Sequence, residues 1–322
     1  MKGDRVHAGI FMVICTVKGV DIRIERHGAA MFFDKYIGKE DGTIRYYDLH
    51  SLRHKILCIL IYLICLGMLV VAIFPSIWVF LASFKDIAEF RKEATILPRS
   101  FSLQAYIKTW NDLKFTKFYI NSLIVVAGCV ASSVLFNGLL AYGLAILKPR
   151  GHKLVHTLVM WGLLIPATTS VVALFVNINR IGLNRSFIPL WLSMGANAFY
   201  VVMFKQFFEG LPKELIEAAK LDGCGVLQTF TRIVLPLSKS IIMVISIFTI
   251  NAAWSDFLLP YLVLGGSGKE TVMVRLFMFR TSNATDVEVL RAVAFAIIPP
   301  IILFSIFQKQ ITAGATTGAV KG

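Results

Sequence analysis

Gly266-Ser267-Gly268-Lys269 resembles the close of a phosphate-binding loop. Such a loop cradles phosphate with backbone N–H groups, and its full pattern needs Gly at 263 and Ser or Thr at 270. The chain has Val263 and Glu270, so the stretch reads as a flexible turn. The histidines lie at 7, 27, 50, 54, 152 and 156, in the N-terminal tail or near one loop, where solvated side chains are expected. Cys15, Cys58, Cys65, Cys129 and Cys224 form no CxxC pair and no Cys/His cluster with metal-ligand spacing. They read as small apolar fillers, with no disulfide. No HExxH, GxSxG or Ser/His/Asp arrangement occurs. The sequence predicts no catalysis, no metal and no cofactor.

The polar residues that stand out instead lie within apolar runs. Asp256 follows Trp254 in AWSDFLLP, and Asn251 lies just over one turn earlier. A carboxylate at bilayer centre costs about 2.5–3.5 kcal/mol on insertion scales. Two readings stay open for Asp256: a pathway or gate residue, together with Asn251, or an interfacial polar group supporting the break at Pro260. Asn121 and Asn137 read as interhelical hydrogen-bond partners.

These residues must be positioned by membrane helices. Apolar residues make up 57% of the 322-residue chain and charged residues 16%, well under the roughly one quarter of a soluble domain. The mean hydropathy is positive. The sequence therefore predicts an all-α, polytopic membrane protein with six spans, near 56–84, 120–147, 154–176, 187–204, 241–264 and 289–307. Pro75, Pro166 and the pair Pro299-Pro300 fall inside spans. Such prolines are tolerated where neighbouring helices cover the freed carbonyls, which implies a bundle. Residues 1–54 read as a cytoplasmic extension and residues 55–322 as the membrane domain.

The net charge of +14 points to topology before it points to nucleic acid. Lys148, Arg150, Lys153, Lys205, Lys213, Lys220, Arg232 and Lys239 gather on the side of the termini, with nine more Lys or Arg in residues 1–54. Both termini are thus expected to be cytoplasmic, in a multi-pass protein of the cell membrane surrounded by lipid. The opposite loop, about 85–118, also carries basic residues and is large enough, with Tyr106 and Trp110, to dock a partner outside. No internal repeat of the secondary-transporter kind is visible, so the chain is expected to pair with another.

Residues 214–237, ELIEAAKLDGCGVLQTFTRIVLPL, form a stretch between two spans without a strongly apolar run. Pro212 suits a first helical turn, and Glu214 and Glu217 suit its electropositive end. Leu215, Ile216, Ala218, Ala219 and Leu221 supply an apolar stripe. Gly223 fits the left-handed residue that ends a helix. A second short helix is expected over 226–234, stopped by Pro236. Ala218 and Ala219 are small enough for another surface to approach. A DNA-binding helix–turn–helix has a similar rhythm, but spans begin within a few residues of both ends and leave no room for a duplex.

Glu217-Ala218-Ala219, three residues, Gly223, nine residues, then Ile233-Val234-Leu235-Pro236 resembles the EAA loop of ABC importer permeases at every fixed position. Further pieces resemble the carbohydrate-type branch, the MalG family. They include Tyr119-Ile120-Asn121-Ser122-Leu123, Ala141-Tyr142-Gly143-Leu144-Ala145, Gly182-Leu183-Asn184, Ala253-Trp254-Ser255-Asp256-Phe257-Leu258 and Gly318-Ala319-Val320-Lys321-Gly322. Ser255 and Leu259 depart from the usual Asn and aromatic. The resemblance covers about residues 55–322. It implies a permease subunit with a cytoplasmic coupling helix between spans 4 and 5, within a loop at 205–240. Glu217, Ala218, Ala219, Asp222, Gly223, Ile233, Leu235 and Pro236 would contact or brace the ATPase subunits. It also implies a heterodimer with a second permease, an extracellular solute-binding protein and a sugar or oligosaccharide as cargo. The competing class is a self-contained secondary transporter or channel with no ATPase.

Overall fold

The structure, a computed structural model, describes residues 52–92 and 95–319, without the side chains of 52–54, 167–168 and 309–319. The expected extension at 1–54 therefore lies almost wholly outside the described residues, as does Cys15. All regular elements among the described residues are helices, with no strand. The chain divides into two compact units, Met1–Phe74 and Pro75–Gly322. Helix α1, Leu52–Ala82, carries Pro75 inside it. Its described part in the first unit is apolar around its whole circumference, as hydrocarbon requires.

In the second unit, α2 (Ile87–Lys92) and α3 (Leu103–Asp112) lead into α4 (Phe115–Leu147). Helix α4 holds two π-helical turns, Ser133–Asn137 and Gly143–Leu147. Next come α5 (His152–Leu164), α6 (Ala167–Arg180), α7 (Ile188–Gly195) and α8 (Ala198–Glu209). They are followed by α9 (Lys213–Leu221), α10 (Val226–Leu237) and α11 (Lys239–Ser255). The last three are α12 (Leu258–Leu264), α13 (Val272–Arg280) and α14 (Asp286–Ala319).

Among the described residues, three helices are long and apolar enough to cross a membrane: Lys55–Ala82, Phe115–Leu147 and Asp286–Gln308. The number reaches five if two bent pairs each count as one span, His152–Leu164 with Thr169–Arg180 and Val226–Leu237 with Lys239–Ser255. The remaining expected spans are broken helices. At Pro166 the ring removes an N–H and disfavours helix in the residue before it, and Ile165 is extended. Near 196, α7 gives way to α8, which Asn197 opens by accepting the N–H groups of Phe199 and Tyr200 on Oδ1. Helix α7 has 8 residues and α8 has 12, so each alone is shorter than the roughly 20 a span needs.

Breaks inside an apolar medium require partners for the freed backbone groups, and neighbouring helices supply them. Asn137 on α4 donates through Nδ2 to Met194 O (3.0 Å) and accepts the Asn197 N–H on Oδ1 (2.9 Å), closing both sides of the α7–α8 break. Pro299 and Pro300 deprive the carbonyls of Phe295 and Ala296, four residues back, of their helical donors. Tyr119 Oη donates to Phe295 O at 2.5 Å, and Trp254 Nε1 to Ala296 O at 3.1 Å. Asn121 Nδ2 donates to Glu270 O (3.0 Å), and the Val272 N–H donates to Ser122 Oγ (2.9 Å). Helix α4 thereby fastens the turn at 265–272. That turn is the glycine stretch with phosphate-loop appearance; Gly266 and Gly268 have φ of 71° and 75°, and the Glu270 carboxylate accepts the Gly268 N–H.

Two buried clusters form the core. One gathers Leu113, Phe115, Phe118, Trp254 and Leu264, with Trp110, Tyr119 and Phe295 against it. Tyr106 and Trp110 stack into this aromatic group. They were expected on a docking loop, yet it is Phe101, Leu103 and Ile107 of that segment that stand exposed. The other cluster joins Tyr142, Phe204, Phe208, Phe230, Val234 and Ile245 from α4, α8, α10 and α11. Gly128 makes a tight crossing possible: a Cβ there would lie 2.1 Å from Trp191 Nε1 on α7.

Candidate functional site: the segment at 213–237

Helix α9 is amphipathic and stands at the surface. Pro212 precedes its first residue, Glu214 lies in its first turn and Lys220 in its last, charges that complement the helix dipole. Successive residues rotate by about 100°, so one face turns inward and the other outward. Ile216 and Ala219 are buried, whereas Leu215, Glu217, Ala218, Leu221 and Asp222 are exposed. Of the two alanines expected to admit an approaching surface, Ala218 faces out and Ala219 packs against the chain itself. The Glu217 carboxylate makes no ion pair among the described residues.

The helix ends in a paired-hydrogen-bond stop. The Gly223 N–H donates to Lys220 O (3.1 Å) and the Cys224 N–H reaches back to Ala219 O (2.9 Å). This arrangement needs a left-handed residue at the turn, and Gly223 has φ 76°. No atom lies within 4 Å of where its Cβ would be, so it is backbone conformation and not space that favours glycine here. Gly225 then begins α10: its N–H donates to Gln228 Oε1 (3.1 Å) and its carbonyl accepts Thr229 Oγ1 (3.1 Å).

Helix α10 is rooted where α9 is free. Leu221, Val226 and Leu227 at the bend are exposed at 89%, 58% and 64%, and Phe230 and Val234 are fully buried. Phe230 stacks near Tyr142 of α4, ring centroids 5.2 Å apart, and Tyr142 Oη donates to Val226 O at 3.3 Å. A π-helical turn, Phe230–Val234, carries these anchors. Of the outlined residues, Ile233 and Leu235 are half-buried and Pro236 exposed. Pro236 was expected to stop the helix, but the helix runs through it to Leu237, because proline fits the first positions of the short last turn. Ser238 Oγ then bonds Val234 O (2.6 Å) at the bend into α11. The anchoring role of Tyr142 escaped the reading of residues 214–237; its signal was a hydroxyl near the end of an otherwise apolar run.

Asn251 and Asp256 are not brought together. Asn251 is exposed on α11. Asp256 is half-buried where α11 ends, with extended backbone (φ −65°, ψ 130°). Its carboxylate lies beside the backbone N–H groups of Phe257, Leu258 and Leu259 at the start of α12. No group of His, Cys, Asp and Glu among the described residues could hold a metal.

Residues 136–316 match the family described as the inner membrane component of binding-protein-dependent transport systems. The chain is 30% identical over 257 residues to a probable ABC transporter permease protein, YurM, of Bacillus subtilis, covering 79% of this chain and 85% of the relative. It is 31% identical over 231 residues to the melibiose/raffinose/stachyose import permease protein MelC of Bacillus subtilis (70% and 84%). It is 27% identical over 257 residues to the diacetylchitobiose uptake system permease protein NgcG of Streptomyces coelicolor (78% and 85%). Its fold matches a chain of a bacterial ABC transporter involved in import of the acidic polysaccharide alginate, with TM-score 0.72 and 21% identity, over 81% of this chain and 98% of the other.

Proposed function

Because the chain belongs to the family of binding-protein-dependent transport system inner membrane components, we propose that it is the permease subunit through which an ATP-driven importer moves a sugar or oligosaccharide. The observation that carries the coupling part is the contrast within 213–237. Helix α9 offers an exposed Leu215/Glu217/Ala218/Leu221 face, and α10 is fixed in the core through Phe230 and Val234. A partner that grips the first displaces the second, and with it α4, α8 and α11. The partner is a cytoplasmic ATPase subunit, whose nucleotide-driven closure rocks the bundle from inward- to outward-facing. In this reading the broken helices complete six spans, both termini are cytoplasmic, and 205–240 is the coupling loop. A second permease completes the path, bordered here by Asn251 and Asp256, and a solute-binding protein delivers cargo outside. The sugar class is supported by the names of the relatives above.

The experiment is a pull-down of the tagged full-length chain from gently solubilised membranes, with each co-purifying chain identified. An ATPase and a second permease are expected. Recovery of this chain alone, abundant and folded, would overturn the reading in favour of a self-contained transporter or channel.

A further inference from the structure

A second site lies at the same end of the bundle as α9 and uses none of its exposed face. The C-terminal end of α4, the first turns of α5 and the end of α8 enclose a cavity of about 250 Å³. Lys148, His152, Lys153, His156, Lys205 and Glu209 line it. Lys205 Nζ pairs with Glu209 Oε1 at 2.8 Å, taking the one carboxylate in the lining. Lys148 and Lys153 have no opposite charge paired with them among the described residues. Lys148 is held in place by its own backbone, left-handed at φ 46°, with its N–H on Gly143 O at 2.8 Å. His152 and His156, one turn apart, share a face of α5. Contrary to the expectation of solvated histidines, His156 is half-buried, and its Nδ1 is closed off from solvent with no hydrogen-bond partner among the described residues. Lys153 continues up α5 into Met160 and Leu164 at helical spacing, and these are 42% and 79% exposed.

We infer that this cavity binds the phosphate of an anionic phospholipid, with an acyl chain lying along Met160 and Leu164. A phosphate supplies the acceptors that Lys148 and Lys153 need. The apolar track selects a lipid over a soluble anion. Basic pockets between helices at the cytoplasmic leaflet are a known way to hold such headgroups. The inference needs only that the chain sits in a bilayer, and it stands apart from the coupling proposal.

The test uses the purified full-length chain with equimolar phosphatidylglycerol and phosphatidylcholine, read by native mass spectrometry of retained lipid. Phosphatidylglycerol should be retained over phosphatidylcholine by about fivefold or more, as expected for two lysines near a headgroup. Lys148→Gln with Lys153→Gln should remove most of that preference, and Lys153→Gln alone, at an exposed position, should remove part of it if the double variant does not fold. Arg232→Gln with Lys239→Gln removes the same charge from exposed positions at this end and should leave the preference intact. No preference in the wild type, or equal loss in the control pair, overturns the site. Inorganic phosphate followed by phosphorus NMR is the second arm. Broadening that depends on Lys148 and Lys153, without lipid retention, would make the ligand a free phosphate and overturn the lipid assignment. Lipid retention unchanged in the lysine variants, with weaker ATPase capture, would make the cavity a protein-docking surface and overturn it as well.

Discussion

At the scale of single residues, Gly223 separates conformation from contact. Its φ of 76° suits glycine, and open space surrounds the missing Cβ. Any defect on substitution therefore reports backbone strain, about 1–2 kcal/mol for a residue forced into the left-handed region. Gly223→Val should lower transport and loosen its coupling to ATP hydrolysis in the reconstituted importer. Gly223→Asn, which tolerates that region, should retain most of both. Equal loss in the two variants would assign the defect to a clash with the partner, and normal transport in Gly223→Val would remove the turn from the mechanism. Gly223 was legible from sequence because a chain reversal after an amphipathic helix has few solutions. The split between Ala218 and Ala219 was not, because it depends on how α9 is rotated against the bundle, and that is fixed by residues outside the segment.

At the scale of elements, the proline pair of α14 shows how a bend is built into an apolar helix. Two carbonyls lose their helical donors, and Tyr119 and Trp254 replace them from two other helices. Removing one donor leaves a buried acceptor unsatisfied, at about 1–3 kcal/mol. Tyr119→Phe and Trp254→Phe should each lower the thermal transition of the detergent-solubilised protein, and the double variant should depart from the sum, because the two rings touch with centroids 5.5 Å apart. No shift in either would show that the freed carbonyls find other donors. Helix α10 poses the opposite case, an anchor that is purely apolar. Phe230→Ala empties a fully buried site and should cost about 3–5 kcal/mol. Transport measured at low temperature, where the variant is folded, should fall more than ATPase subunit capture does, since α9 keeps its outer face. The apolar runs and their prolines could be read from the sequence. The places where α7 yields to α8 and α11 to α12 were hidden, because a short polar interruption inside an apolar run resembles a buried hydrogen-bonding residue in an unbroken helix.

At the scale of the whole molecule, helix content, membrane character and the pair of short helices around Gly223 were all visible in residue order. Composition sets the first two, and Pro212, Gly223 and Gly225 set the third. The basic cavity was not visible, because Lys148, His156 and Lys205 come together only when α4, α5 and α8 meet. The joint at Asn137 carries a consequence for how the chain is made. Residues 188–209 emerge from the ribosome as two short helices with unpaired backbone groups between them, and the side chain that satisfies those groups was synthesised earlier, on α4. If the segment crosses the bilayer as proposed, it settles there once α4 is in place to receive it, and insertion then follows a fixed order. In nascent chains arrested beyond residue 209, single cysteines placed within 188–209 should be shielded from a water-soluble maleimide when the chain carries Asn137 and labelled more readily with Asn137→Leu. Equal labelling of the two would mean that residues 188–209 enter the membrane unaided.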